Sequence, residues 1–144
     1  MESQAGEAGY LVGERLYIED DIEVTALGVI GAATEPPSGV HGIMGLYSDM
    51  GGLPYALMAN TLSTTIGPGN NVIPVVSVAS VSAGYYWIMA EYDATAFICG
   101  DNATDNPIAG LQAGYGSVPA TITNPDASST DDFNYYVLGI LSTQ

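Results

Sequence analysis

Apolar and polar positions along this chain alternate in short runs that are typical of β-strands. Residues 10–19 and 22–32 carry most of their apolar side chains on one parity, and residues 72–81 are β-branched almost throughout. A period of two with β-branched enrichment indicates a pleated, half-buried strand. No stretch carries helix signals of useful length. The pattern therefore predicts an all-β protein.

The stretch from His41 to Ala59 predicts a strand, a turn and a second strand. Residues 43–47 are apolar or glycine at both parities, as expected of a strand that packs on both faces. Turn-forming residues then interrupt the pattern at Ser48, Asp49, Gly51 and Gly52. Pro54 has no N–H to donate and suits the start of the next strand, over residues 55–59.

The most aromatic run, residues 85–92, is apolar at both parities, so we expect it in the middle of a sheet. The turn at Asp93 and Ala94 predicts a hairpin with a strand over residues 95–99. Residues 100–130 are rich in Gly, Asn, Asp and Pro, which predicts long loops with short strands near 108–113 and 118–123. Residues 133–141 predict a closing strand.

Length and turn spacing indicate one domain. A chain of 144 residues with 18 glycines and frequent turns predicts a single-domain antiparallel β-sandwich, jelly-roll-like, of about eight to ten strands. The sandwich is expected to cover residues 10–144. Residues 1–9 are too polar for a core, and we expect an N-terminal extension that contacts an edge strand of a partner.

The charge balance excludes several classes of partner. Sixteen Asp and Glu residues stand against Arg15 alone, for a net charge of -15. Such a surface repels phosphate, which excludes nucleic acid and anionic membrane surfaces. No apolar run approaches the ~18 residues of a membrane span, so no membrane insertion is expected. Salt or divalent cations would relieve the repulsion between carboxylates, although solubility alone also explains the acidity.

The residues that catalysis would need are scarce. His41 is the only histidine and Cys99 the only cysteine, and the two are far apart in sequence. Cys99 lies in an apolar run, which predicts a buried, inert thiol that has no partner for an internal disulfide. Glu23, Glu91 and Asp93 are the carboxylates considered for glycoside hydrolysis, but their spacing favours solvated faces. We therefore predict no catalytic residues and no enzyme activity.

Calcium is the one cofactor that the sequence leaves open. Asp101, Asn102 and Asp105 place side-chain oxygens at near-alternating positions, the ligand type that calcium prefers. The acidic pairs and triplets at residues 19–21 and 131–132 could add ligands from other loops. The spacing does not match the twelve-residue EF-hand loop, so these residues are weak candidates.

Sugar binding would use aromatic rings that lie against the faces of a saccharide. Most of the ten tyrosines lie inside expected strands, where packing in the core or across strands is the default. Tyr55 and Tyr115 lie near loops instead. They are the candidate ligand-facing aromatics.

Two motifs carry a resemblance to a known group of proteins. Residues 46–59 read Leu-Tyr-Ser-Asp-Met-Gly-Gly-Leu-Pro-Tyr-Ala-Leu-Met-Ala, and residues 83–87 read Ala-Gly-Tyr-Tyr-Trp. The stretch 22–92 thus resembles bacterial and phage β-sandwich modules that share a YSDxGGxPxxL hairpin and an AGxYW strand, although Tyr55 stands where the group usually has glycine. The resemblance implies a jelly-roll architecture and an exterior location, and it implies no reaction.

Two functions remain as hypotheses. The first is a non-enzymatic structural subunit of an extracellular, cell-surface or virion assembly, whose partners are copies of itself or other surface-assembly proteins. The second is a carbohydrate-binding or adhesin module that binds glycans. The first residues contain neither the basic region nor the apolar core of a secretion signal, so either a leader has been removed or the protein leaves the cell by another route.

Overall fold

A computed structural model of the chain describes residues 2–6, 8–32, 39–94, 96–100, 106–131 and 134–142, and for 2–6, 97, 99–100, 106–107 and 126–131 it describes the backbone alone. The described residues form twelve strands and no helix. The strands are β1 (Glu2–Gly6), β2 (Tyr10–Ile18), β3 (Ile22–Gly31), β4 (His41–Met50), β5 (Leu53–Asn60), β6 (Thr64–Thr65), β7 (Gly69–Val81), β8 (Gly84–Tyr92), β9 (Ala96–Gly100), β10 (Asn106–Gln112), β11 (Asp126–Asp131) and β12 (Tyr136–Leu141).

The strands form two antiparallel sheets. The first sheet has the order β1-β9-β3-β12, with β7 also paired to β3. Because β7 and β12 both pair with the same residues of β3, they flank it on opposite edges. The second sheet has the order β11-β10-β2-β8-β4-β5, with β6 beside β4. The predicted all-β antiparallel sandwich is confirmed, and so is the central position of residues 85–92, because β8 lies between β2 and β4.

The inner faces of the two sheets pack against each other. Alternate residues of the central strands fill this layer, because successive side chains of a strand point to opposite faces. From the first sheet it contains Val24, Leu27, Val29 and Ile98, and from the second Met44, Leu46, Ile88 and Ala90. We call this layer the inter-sheet core.

The hairpin predicted over residues 41–59 is present as β4 and β5, but its turn is shorter than expected. Ser48 and Asp49 belong to β4, and the turn consists of Gly51 and Gly52, with φ angles of 61° and 84°. Two successive residues at positive φ suit the twist of a tight hairpin, and glycine adopts them without strain. The Ser48 hydroxyl accepts a bond from the Ala56 N–H at 3.0 Å, so this polar side chain bonds across the hairpin.

Three other expectations differ from the structure. Strand β9 does not form a hairpin with β8, because the chain crosses to the first sheet after Asp93 and β9 pairs with β1 and β3. The threonine-rich stretch 60–66 is also typical of a half-exposed strand, but apart from Asn60 at the end of β5 only Thr64–Thr65 form one. Residues 118–123 form no strand, whereas β11 lies in a region predicted to be loop. Residues 2–6 form β1 beside β9 of the same chain, and a partner contact of the N-terminal segment stays a prediction.

Residues 113–125, which we call the strap, run across the outer face of the second sheet. The Leu57 N–H donates to the carbonyl of Ala120 at 2.9 Å, and the Ile122 N–H donates to the carbonyl of Tyr55 at 2.8 Å. The strap and the sheet enclose a second apolar layer, the strap core. Its buried members are Leu11, Ile43, Tyr47, Trp87, Met89, Ala109, Val118 and Ile122.

Candidate interaction surface

Three rows of residues cross β12, β3 and β7 on the outside of the first sheet. They face away from the inter-sheet core, because the alternate residues Val24 and Leu27 of β3 are buried in that core. In strand order the rows are Tyr136, Gly28 and Val72, then Leu138, Ala26 and Pro74, then Ile140, Glu23 and Ser80.

Aliphatic side chains dominate this surface, and they are exposed. Leu138 is 41% exposed, Ile140 58% and Val78 60%. Glu23 is the only acidic or basic residue in the three rows. We define the bare face as the exposed aliphatic members of these rows, Val72, Pro74, Leu138 and Ile140, together with the exposed Val76 and Val78, which lie between the two parts of β7 that pair with β3. An apolar cluster of this kind on an acidic chain is typical of an interaction site.

The Tyr136 side chain covers Gly28 of β3 beside the bare face. A Cβ at Gly28 would collide with the Tyr136 ring, so the ring lies directly against the backbone of β3. The Tyr136 hydroxyl donates to the side-chain oxygen of Asn70 on β7. An aromatic ring that covers a strand glycine removes backbone from water and joins the neighbouring strands.

A shallow depression of about 360 Å³ adjoins the bare face along β7. Pro74 and Val76 of the bare face line it, together with Leu62, Thr64, Ile73 and Val75. Val75 also forms an isolated bridge to Thr61, which brings the second sheet close to β7 at this point. The bare face therefore ends in an apolar groove that a partner side chain could enter.

The strap covers the part of the outer face of the second sheet that carries Tyr47 and Trp87. The Tyr47 hydroxyl donates to the carbonyl of Pro119 at 2.6 Å. The Trp87 indole N–H donates to the carboxylate of Asp49 at 2.8 Å. Burial, with a smaller contribution from Glu91, raises the pKa of Tyr47, so its hydroxyl stays protonated as a donor. The buried polar groups of these two aromatic side chains thus have partners.

Glu91 is buried beneath the strap, which corrects the expectation that it lies on a solvated face. It is 0% exposed, and its Oε1 accepts a bond from the Gly116 N–H at 3.3 Å. Its Oε2 is buried without a hydrogen-bond partner. Burial raises the pKa of Glu91 to about 7, and the bond from Gly116 opposes that rise.

His41 and Asp93 form a hydrogen-bonded pair where β4 begins and β8 ends. Their Nδ1 and Oδ2 atoms lie 2.8 Å apart, and the His41 backbone N–H donates to Asp93 Oδ1 at 2.8 Å. The backbone bond first, and then the side-chain bond, lower the pKa of Asp93. Both side chains are partly exposed, so this arrangement joins two strand ends at the surface.

A polar group of three residues lies inside the inter-sheet core. The hydroxyls of Tyr92 and Tyr135 are 2.8 Å apart, and burial raises the pKa of both. Glu14 is 3% exposed, has a partner, and raises the pKa of Tyr135 further by its charge. Sequence reasoning missed Glu14, although a carboxylate between Val12 and Leu16 on the apolar parity of β2 was a signal.

The two candidate ligand-facing tyrosines lie in different surroundings. Tyr55 is 38% exposed on β5. Tyr115 is half-buried against the strap core, and its hydroxyl lies 2.5 Å from the hydroxyl of Ser63. A role of either ring in sugar binding stays a prediction.

Sequence reasoning did not find the most exposed aromatic pair. Tyr17 and Tyr85 are opposite each other on β2 and β8, with ring centroids 4.9 Å apart and both side chains more than half exposed. The Arg15 guanidinium lies 4.5 Å from the centroid of the Tyr85 ring. Arg15 and Tyr17 share a parity on β2, and that pattern was the available signal.

The calcium candidates Asp101, Asn102 and Asp105 lie outside the described residues, and so does Asp132. Residues 19–21 border an open depression of about 350 Å³ with Ala83, Leu141 and Ser142. In the part of the chain that the structure describes, no three His, Cys, Asp or Glu side chains come together to hold a metal. Of Cys99, only the backbone in β9 is described. Calcium binding and the inert thiol stay predictions.

Comparisons with protein-family models, with curated proteins and with solved structures found no match. Among the described residues, no helix is both long and apolar enough to span a membrane.

Proposed function

We propose that this chain is a non-enzymatic building block of an extracellular or virion surface assembly, and that copies of it associate through the bare face. The observation that carries the proposal is the uncovered aliphatic surface of β7 and β12. Burying such a surface between copies releases water from apolar groups, which is the main favourable term in protein association.

Charge favours a second copy as the occupant. Each copy carries a net charge of -15, so contact through most of its surface brings carboxylates together. Two bare faces meet at a much smaller cost, because Glu23 is the only acidic residue in their rows. The aliphatic side chains also contain no polar group that would need a partner after burial. A self-complementary face of this kind suits a symmetric contact between identical chains.

The exterior location belongs to the same proposal. It is supported by the resemblance of the β4–β5 hairpin and β8 to modules of surface proteins and virion appendages. The motif residues are structural in this fold, since Asp49 bonds Trp87 and Ser48 bonds Ala56. No reaction follows from these contacts.

Sedimentation velocity over a range of protein and salt concentrations tests the proposal. We expect the wild-type chain to associate, and more strongly as salt screens the carboxylates. Two glutamates in the bare face, Val76→Glu with Leu138→Glu, should leave a folded monomer. Met50→Glu is the matched control, because Met50 and Val76 are both 56% exposed and Met50 lies on the second sheet. A wild-type chain that stays monomeric at every concentration, or a double variant that associates like the control, would refute the proposal.

A second candidate function, saccharide binding, is favoured by the Tyr17–Tyr85 pair. The two exposed rings offer apolar faces, and Arg15 adds donors for sugar hydroxyls. In the described part of the chain no carboxylate forms an ion pair with Arg15, so its donors are available to a ligand.

A glycan array tests this alternative. If it holds, Tyr17→Ala and Tyr85→Ala abolish binding of the glycans that the wild-type chain retains. Tyr55→Ala and Tyr115→Ala test the two positions predicted from sequence in the same experiment. Absence of binding by the wild-type chain to every glycan would remove the hypothesis.

A further inference from the structure

The carboxyl group of Glu91 is the least satisfied polar group that the structure describes. It lies on β8 on the same side as Trp87 and Met89, so it points into the layer that the strap covers. Of its two oxygens, one accepts a long bond from the Gly116 N–H of the strap, and the other has no partner. The strap is therefore the element that separates this carboxyl group from water.

No described group offers a positive charge to Glu91. Tyr47 faces it from β4, and Tyr115 faces it from the strap. The neighbouring strand β2 contributes the apolar Leu11 to this layer. Asp93 lies two residues further along the chain, just past the end of β8, and the His41 side chain is bonded to it. An ionised Glu91 would therefore be buried without compensation, which costs several kcal/mol in general.

Neutral hydrogen bonds attach the strap to the sheet. Its ends and centre bond to β5, to the segment before β2 and to the hydroxyls of Tyr47 and Ser63. None of these attachments depends on an ionised side chain. The contact with Glu91 is thus the one attachment among the described residues that changes when a carboxyl group titrates.

We propose that Glu91 makes the strap a pH-controlled cover, which closes over the second sheet while the carboxyl group is protonated and is released when the group ionises. Release exposes Trp87, Met89 and Ile43, the aromatic and aliphatic surface beneath. Acid closes the cover, and neutral pH loosens it.

The pH window follows from linkage. In the closed state burial holds the pKa of Glu91 at about 7, whereas the ordinary value is 4.5. The open state returns the carboxyl group to water and binds the proton less tightly. The equilibrium constant for opening therefore rises about tenfold per pH unit between these two values, and it is level below and above them. The stability that the protonated group gives to the closed state is complete below pH 4.5 and is lost as the pH rises to 7.

Amide hydrogen exchange on the full chain measures this opening. The amides of Leu57 and Ile122 bond across the strap, so their exchange, corrected for its intrinsic pH dependence, reports release. We expect protection of these two amides to fall on the order of a hundredfold from pH 4.5 to 7. Amides of β3, which pair inside the first sheet, should keep their protection.

Three variants assign the effect to its residue. Glu91→Gln keeps the shape of the side chain and cannot ionise, so protection of the strap amides should be independent of pH. Glu19→Gln removes the same charge at an exposed site, and His41→Gln removes the nearby imidazole, and both should behave as wild type. If Glu91→Gln does not fold, Glu91→Met offers an uncharged side chain of similar length.

Two results would overturn the proposal. One is protection of the Leu57 and Ile122 amides that does not change with pH in the wild-type chain. The other is an equal fall in the amides of β3, which would show that the whole domain opens. The wild-type profile alone separates these outcomes from local release.

Discussion

The two sheets differ in what covers their outer faces. The second sheet carries Tyr47 and Trp87 on its outer face, and the strap covers them. The first sheet carries valine, leucine and isoleucine on its outer face, and none of the described residues covers them. Both faces are apolar, so hydrophobicity alone does not explain why one is covered and the other is not.

The polar atoms of the covered side chains explain part of the difference. A hidden hydroxyl or indole N–H needs a partner with good geometry, and the strap carbonyl of Pro119 and the carboxylate of Asp49 supply these partners within the chain. Valine and isoleucine need no such partner. A face built of them can be covered by any apolar surface of fitting shape, including the same face of another copy.

The largest expected contrast between the faces is in folding stability. Trp87→Ala removes the largest fully buried side chain and its bond to Asp49, so we expect a loss of about 3–5 kcal/mol in the free energy of unfolding. Val78→Ala on the bare face should change it by less than about 0.5 kcal/mol in the monomer. Urea unfolding of both variants at low protein concentration measures the two values. Similar losses at both sites would show that the bare face is buried in the monomer as well.

The hairpin and the central strand could be predicted from sequence because their signals are local. Two adjacent glycines between alternating runs specify a tight turn, and an apolar run at both parities specifies a strand covered on both faces. The hairpin predicted between β8 and β9 was wrong for a physical reason as well. Residues 96–98 read Ala-Phe-Ile, which fits either sheet, and the pairing is decided by β1 and β3, which are far away in sequence.

The candidate surfaces were less predictable than the fold. Exposure of Val76 or Leu138 depends on whether another segment crosses the sheet, and an alternating pattern does not say which face is covered. Glu91 was assigned to a solvated face for the same reason, since the strap that buries it begins more than twenty residues later in the chain. A single carboxylate inside a run that is apolar on both parities was nevertheless a usable signal.

A smaller effect tests how the strap is attached. Tyr47→Phe removes the hydroxyl that donates to Pro119 and leaves that carbonyl buried without this bond, so we expect a loss of about 1 kcal/mol. Tyr86→Phe is the matched control, because its hydroxyl also donates to a backbone carbonyl, that of Ser82, but at an exposed site. Thermal unfolding at pH 5 should show the larger loss for Tyr47→Phe. Equal losses would mean that the strap contact contributes no more than a surface bond.

The smallest effect on the stability of the isolated chain is expected for a substitution at Val78 on the bare face. Val78→Thr keeps the shape of the side chain and adds a hydroxyl, which costs nothing in water and destabilises an apolar contact. At dilution the melting temperature should match that of the wild-type chain. As concentration rises, the wild-type melting temperature should increase, because association stabilises the folded state by mass action. The melting temperature of the variant should increase less over the same range of concentration. Equal melting temperatures at every concentration would mean that Val78 stays in water, and another surface would then have to be sought for the contact between copies.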